Sequence, residues 1–161
     1  MLLLSALVSL NVMALEVGET GPCVVLDDIQ PSGETISQCL RTPKKKGEFV
    51  LLDFSMPKCE DCVENLPLLA NLKKDIDATT TTRIVVMSRN AEDAQDFVAE
   101  HSGRIDAPFS LDTRLNAKGA YGVDAAPTMF VLNSRNKIIY KHVGILNEAE
   151  EAKIKSLVAK P

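Results

Sequence analysis

Two cysteines enclosing two acidic residues, Cys59-Glu60-Asp61-Cys62, stand where an apolar run gives way to an amphipathic stretch. The run Phe49-Val50-Leu51-Leu52-Asp53-Phe54 holds one polar residue, Asp53, and reads as a strand covered on both faces of a parallel sheet. From Cys62 to Ile76 the apolar positions Val63, Leu66, Leu69, Ala70, Leu72 and Ile76 recur at helical spacing. Pro67 falls inside that helix and predicts a kink, because it removes a backbone donor. A buried strand that runs straight into a helix commits the chain to a sheet with helices packed on its faces. It also puts both thiols at a helix N-terminus, where unpaired N–H groups and the positive end of the dipole favour a thiolate. Cysteines so spaced close a disulfide with little backbone movement, Cys59 as the attacking thiolate open to a partner and Cys62 as the resolving thiol behind it.

Zinc sites use the same spacing, and the thiols could also be inert. Zinc needs a second cysteine pair or a close histidine pair, whereas His101 and His142 are single and far apart. Dithiol chemistry without metal or cofactor is therefore the expectation, and both histidines read as face residues of a helix and a strand. Glu60 and Asp61 oppose the helix dipole and hold back the thiolate, which favours a reductant over a strong oxidant; Lys58 partly offsets them.

Upstream, Cys23 to Leu26 and Thr35 to Leu40 read as two arms of a hairpin around Pro31-Ser32-Gly33. Cys23 and Cys39 then stand about opposite each other, as a structural disulfide, as free thiols or as a further redox pair, the first being expected. Downstream, a polar Thr79 to Thr82 loop precedes the strand Ile84 to Met87 and a helix capped by Asn90, with Ala94, Phe97, Val98 and His101 on one face. Phe109 to Leu111 is a short strand, and Thr113 to Tyr121 a short helix capped by Asp112. Met129 to Leu132 and Lys137 to Val143 form an antiparallel pair, and Asn147 caps a last helix. The order predicts an α/β sandwich around a mixed sheet.

The 161 residues, 45% hydrophobic and 25% charged, fit one domain with a real core. With 18 basic against 22 acidic side chains, the formal charge of −4 argues against nucleic-acid binding. Residues 1–14 carry no charged side chain and several leucines, a run too short for the ~20 residues of a membrane span but fitting a signal peptide cleaved after Ala14. A single domain over 15–161 and export are expected.

From Glu48 to Val158 the chain resembles the thioredoxin fold and, within it, the TlpA/ResA-like thiol–disulfide oxidoreductases grouped with AhpC/TSA proteins. The residues that carry the resemblance are Cys59-Glu60-Asp61-Cys62, Asp53 six positions earlier, Pro67, and Ala126-Pro127-Thr128 after Tyr121-Gly122-Val123. It implies a thioredoxin-like three-layer sandwich with an N-terminal β-hairpin and an inserted βα segment. It implies that Asp53 exchanges a proton with the resolving thiol, and that Pro127 is cis and faces the cysteines. A bound segment would lie across Ala126 and Pro127, beside Lys58. The implied partners are a disulfide-containing protein substrate and a membrane electron donor of the thiol-reducing type, acting on a monomer.

Two departures matter: Lys58 replaces the usual aromatic residue before the first cysteine, and Asn65 replaces a glutamate tied to cytochrome maturation. A peroxiredoxin-type thiol peroxidase shares the fold but uses a Thr three and a Pro seven residues before its cysteine, where this chain has Met56 and Leu52. A non-catalytic binding module or metal chaperone is the third reading.

Overall fold

The structure is a computed structural model that describes residues 13–159. The first strands, β1 (Val25–Ile29) and β2 (Thr35–Cys39), form the N-terminal hairpin, followed by β3 (Phe49–Ser55) and helix α1 (Glu60–Ile76). Next come β4 (Thr80–Met87), α2 (Ala91–His101), β5 (Phe109–Asp112) and α3 (Asn116–Tyr121). The chain closes with β6 (Thr128–Leu132), β7 (Ile138–Val143) and α4 (Glu148–Val158). One mixed sheet contains all seven strands in the order β2-β1-β5-β4-β3-β6-β7. β4 runs parallel to both β3 and β5, while the pairs β1–β2, β1–β5, β3–β6 and β6–β7 are antiparallel.

Burial decides this order. β4 is buried along its whole length and β3 from Val50 to Ser55, as centre strands must be when both faces are covered. Leu51, Ile84, Val86 and Val131 meet Leu66 and Leu69 of α1, Phe97 of α2 and Ile154 of α4 on one face. Val50, Leu52, Phe54 and Phe130 meet Ala117 and Tyr121 of α3 on the other, giving three layers. The α2–β5 unit extends the sheet beyond β4 as the inserted βα segment. Among the described residues, no helix is long and apolar enough to cross a membrane.

Several element boundaries differ from the sequence expectation for identifiable reasons. Thr80 to Thr82 are not loop but the buried start of β4. Their β-branched side chains suit a strand, and the Thr81 hydroxyl donates to Glu48 Oε2 at 2.7 Å while accepting the Lys44 N–H at 2.8 Å. β1 runs through Asp27 and Asp28 rather than ending before them, because Asp28 has a buried partner in Arg83 at 2.9 Å. The Asp28 carboxylate also accepts from Gln38 at 2.7 Å and from the Ser110 hydroxyl, and Arg83 donates onward to the Leu40 and Thr42 carbonyls at 3.0 and 2.6 Å. α3 begins at Asn116, not Thr113, since Leu115 takes a left-handed conformation. Asp112 still caps it, accepting from the N–H groups of Ala117 at 3.2 Å and Lys118 at 2.8 Å. The expected signal segment, 1–14, lies outside the described residues except for its last two.

Cys23 and Cys39 are joined, with Cα atoms 5.3 Å apart. Val25 rather than Cys23 is the residue paired opposite Cys39, so the link bridges from just ahead of β1.

Candidate active site

The chain leaves β3 at Ser55 and enters α1 at Glu60, and the turn between them is closed by Lys58 in the left-handed region at φ 60°. That turn makes Cys59 the N-cap. Its backbone is extended, at φ −112° and ψ 104°, and its Sγ accepts the Cys62 N–H at 3.1 Å. A sulfur in the N-cap position thus takes over one of the donors that a helix start leaves unsatisfied. Cys59 is half-buried, whereas Cys62 is completely buried. The two are joined as a disulfide with Cα atoms 5.2 Å apart.

Facing them is the loop between α3 and β6, where the Ala126–Pro127 peptide is cis. Gly122 closes α3 ahead of this loop at φ +62°, a left-handed conformation that glycine adopts without steric cost. The Thr128 hydroxyl donates to the Ala125 carbonyl at 2.6 Å, and the Pro127 carbonyl accepts the Gly144 N–H at 2.8 Å. Fixed from both sides, the loop sets the Ala126 carbonyl oxygen 3.7 Å from Cys59 Sγ.

Asp53 lies one layer deeper, on β3, with no solvent exposure. Its carboxylate accepts from the Ser55 hydroxyl at 2.8 Å and from Asn65 Nδ2 at 3.1 Å. Burial pushes its pKa up to about 6, against the smaller opposing pull of the Ser55 and Asn65 hydrogen bonds. Asn65 stands one helical turn after Cys62 on the same face of α1, and its Oδ1 accepts the Leu146 N–H at 2.9 Å. One buried amide therefore ties the acid under the helix to the segment joining β7 and α4.

The expected residues Cys59, Cys62, Lys58, Ala126 and Pro127 converge on the start of α1, with Asp53 in the sheet. The Cys23–Cys39 link belongs elsewhere. Cys39 ends the edge strand β2, four strand positions from β3, about 19 Å at roughly 4.8 Å per step. Lys58 is exposed and reaches Asp93 on α2 at 3.3 Å.

Two residues carry more than the sequence reading assigned them. Asn65 appeared only as a replaced glutamate, although its spacing from Cys62 already set it facing β3. His101 lies on the α2 face expected for it, with Ala94, Phe97 and Val98; it is 7% exposed, stacks edge-on against Phe97 at 4.6 Å, and its Nδ1 has no partner among the described residues. Desolvation, with the Arg104 charge second and Glu100 opposing, lowers its pKa, so the imidazole is neutral at pH 7. It borders a cleft of about 770 Å³ between the start of α1 and α2, which Cys59 also lines. Among the described residues, no group of three or more His, Cys, Asp or Glu side chains is placed to hold a metal.

Known proteins are similar to this chain in sequence and in fold. The chain is 30% identical over 132 residues to the thiol-disulfide oxidoreductase ResA of Halalkalibacterium halodurans, covering 81% of this chain and 70% of that one. ResA of Bacillus subtilis is 26% identical over 132 residues, covering 82% and 70%. In fold it is similar to the thioredoxin domain of a thiol-disulfide oxidoreductase from Bacteroides vulgatus, with a TM-score of 0.72 at 21% identity over 90% of this chain and 99% of that one. StoA from Bacillus subtilis superposes with a TM-score of 0.63 at 21% identity, covering 84% and 97%. The family model for Redoxin matches residues 16–158, a span that takes in the cysteine pair, the acid beneath it and the cis-proline loop. A dithiol at a helix start on this fold, in a chain matched over that whole span, places the protein in the redoxin family, among its TlpA/ResA-like thiol–disulfide oxidoreductases.

Proposed function

We propose that this oxidoreductase works as a reductant of disulfides in exported proteins. In the reduced protein, the Cys59 thiolate attacks one sulfur of a substrate disulfide, forming a mixed disulfide and releasing the other substrate sulfur as thiolate. Cys62 then gives up its proton toward Asp53 and attacks Cys59 Sγ. The Cys59–Cys62 bond forms, the mixed disulfide breaks, and the substrate leaves with two electrons as a dithiol. Asp53 suits the proton step because a pKa of about 6 leaves it largely ionised at neutral pH yet more basic than an ordinary carboxylate. The substrate segment lies over Ala126 and Pro127, its backbone adding to the loop as a short strand, with Lys58 at its side. A membrane donor of the thiol-reducing type restores the dithiol.

The observation that carries this reading is the asymmetry of the pair: Cys59 is half-buried at the N-cap and within 3.7 Å of the Ala126 carbonyl, and Cys62 is sealed behind it. The direction rests on Glu60 and Asp61 in the first turn of α1. The Cys23–Cys39 bond acts as a structural staple, residues 1–14 as the export signal, and the remainder works as a monomer in the periplasm or an equivalent extracytoplasmic space. A Cys59→Ser variant is expected to lose insulin reduction completely; retained activity refutes the assignment of the nucleophile. A reduction potential near roughly −120 mV, that of a strong oxidant, refutes the direction.

A further inference from the structure

The cleft beside Cys59 is rimmed by acidic side chains. Glu60 and Glu64, one turn apart on α1, face Asp93, Asp96 and Glu100, which recur at helical spacing on α2. The one lysine among its lining residues, Lys58, is already engaged by Asp93 at 3.3 Å. Five carboxylates against one lysine leave the cleft with as much net negative charge as the whole chain carries, −4. The remaining formal charges of the chain balance, so the cleft concentrates its excess of negative charge beside Cys59.

Its floor is different in kind. Val63 and Phe97 are apolar, and His101 contributes a neutral ring, nine-tenths buried, whose Nδ1 finds no partner among the described residues. The floor of Val63, Phe97 and His101 holds no fixed positive charge to offset the acids of the rim. Concave sites with apolar floors and a few polar groups are where ligands bind, and one sign of charge around them steers and selects partners of the other sign.

We infer that the α1–α2 cleft is the specificity site for the substrate, and that it takes segments in which the disulfide is flanked by lysine or arginine next to an apolar side chain. This deepens the reading of Cys59 as the nucleophile and rests on it. The basic flank lies along the acids of α2, the apolar residue sits on Val63 and Phe97, and the substrate sulfur reaches Cys59 at the cleft's edge.

The test compares reduction rates on two disulfide-bridged CxxC peptides identical except for flanking lysines or flanking glutamates, with neutral hydroxyethyl disulfide as a third substrate. The reduced full-length protein is expected to act on the lysine peptide with a kcat/KM at least about tenfold above that on the glutamate peptide, the ratio shrinking as salt rises. In the double variant Asp96→Asn, Glu100→Gln, whose side chains are both exposed, that ratio falls severalfold. A ratio near one, or one that the double variant leaves unchanged, overturns the cleft assignment while turnover of hydroxyethyl disulfide keeps the exchange chemistry intact. Failure on hydroxyethyl disulfide as well overturns the exchange reading, and this inference with it. A rate per molecule that falls as protein concentration rises puts a second copy in the cleft and also overturns it.

Discussion

Replacing Asp53 by Asn separates the acid's contribution to the reaction from its cost to the fold. A carboxyl whose folded pKa, about 6, lies above its ordinary 3.8 holds its proton more tightly in the native state. Its stabilising share is therefore present in acid and is lost as pH rises from 3.8 through 6, after which the loss is constant. At 1.36 kcal/mol per pKa unit the loss amounts to about 3 kcal/mol at pH 8 and about 0.5 kcal/mol at pH 4. Asparagine stays neutral throughout and keeps the local hydrogen bonds, its carbonyl accepting from Asn65 and its amide donating to the Ser55 hydroxyl. The variant should thus be more stable than the parent at pH 8 by up to about 3 kcal/mol, with the gap closing toward pH 4. Urea unfolding of the oxidised protein, followed by far-ultraviolet circular dichroism across that range, reads the gap directly. The same variant should slow resolution of the mixed disulfide by about 10²-fold, the scale of a lost proton acceptor. A gap independent of pH, or a variant less stable than the parent at pH 8, refutes the picture of an acid whose pKa is raised by burial.

Three further outcomes follow from neighbouring contacts. Asn65→Ala leaves Asp53 Oδ1 and the Leu146 N–H short of a partner, which should cost about 1–3 kcal/mol in urea unfolding and raise the Asp53 pKa further, read by carboxyl carbon NMR titration. Asp28→Ala strands Arg83 in the interior and should destabilise by about 3–5 kcal/mol, whereas changing both Asp28 and Arg83 to apolar residues should cost much less. Cys23→Ser with Cys39→Ser should lower stability by about 3 kcal/mol, the chain-entropy value for a loop of this size, without changing the rate of exchange at Cys59.

The central strand, the helix behind it and the thiols at their junction were legible because each rests on a local pattern: a continuous apolar run, a 3.6-residue period and a fixed spacing. Asn90 and Asn147 announced their helices in the same way, each accepting the N–H groups two and three residues on. Thr80 to Thr82 were not legible as strand, since hydroxyl side chains look like loop until the sheet buries them, although their β-branching was a signal available from the start. The Asp28–Arg83 pair joins residues 55 positions apart, and no local pattern links them. Asn65 stood in view as a substitution, but its meaning depends on Asp53 and Leu146, which only the fold brings to it. The α1–α2 cleft has the same origin: its acids are ordinary surface residues on each helix until the two helices are set side by side.

The most direct test of Cys59 as nucleophile and Cys62 as resolving thiol is intact-mass analysis after mixing reduced Cys62→Ala protein with an oxidised CxxC peptide. One peptide should remain attached, mapped to Cys59, while the wild-type protein under the same conditions releases dithiol peptide and ends with the Cys59–Cys62 bond closed. Absence of the adduct, its location on Cys23 or Cys39, or an equal adduct on the wild-type protein would contradict the account.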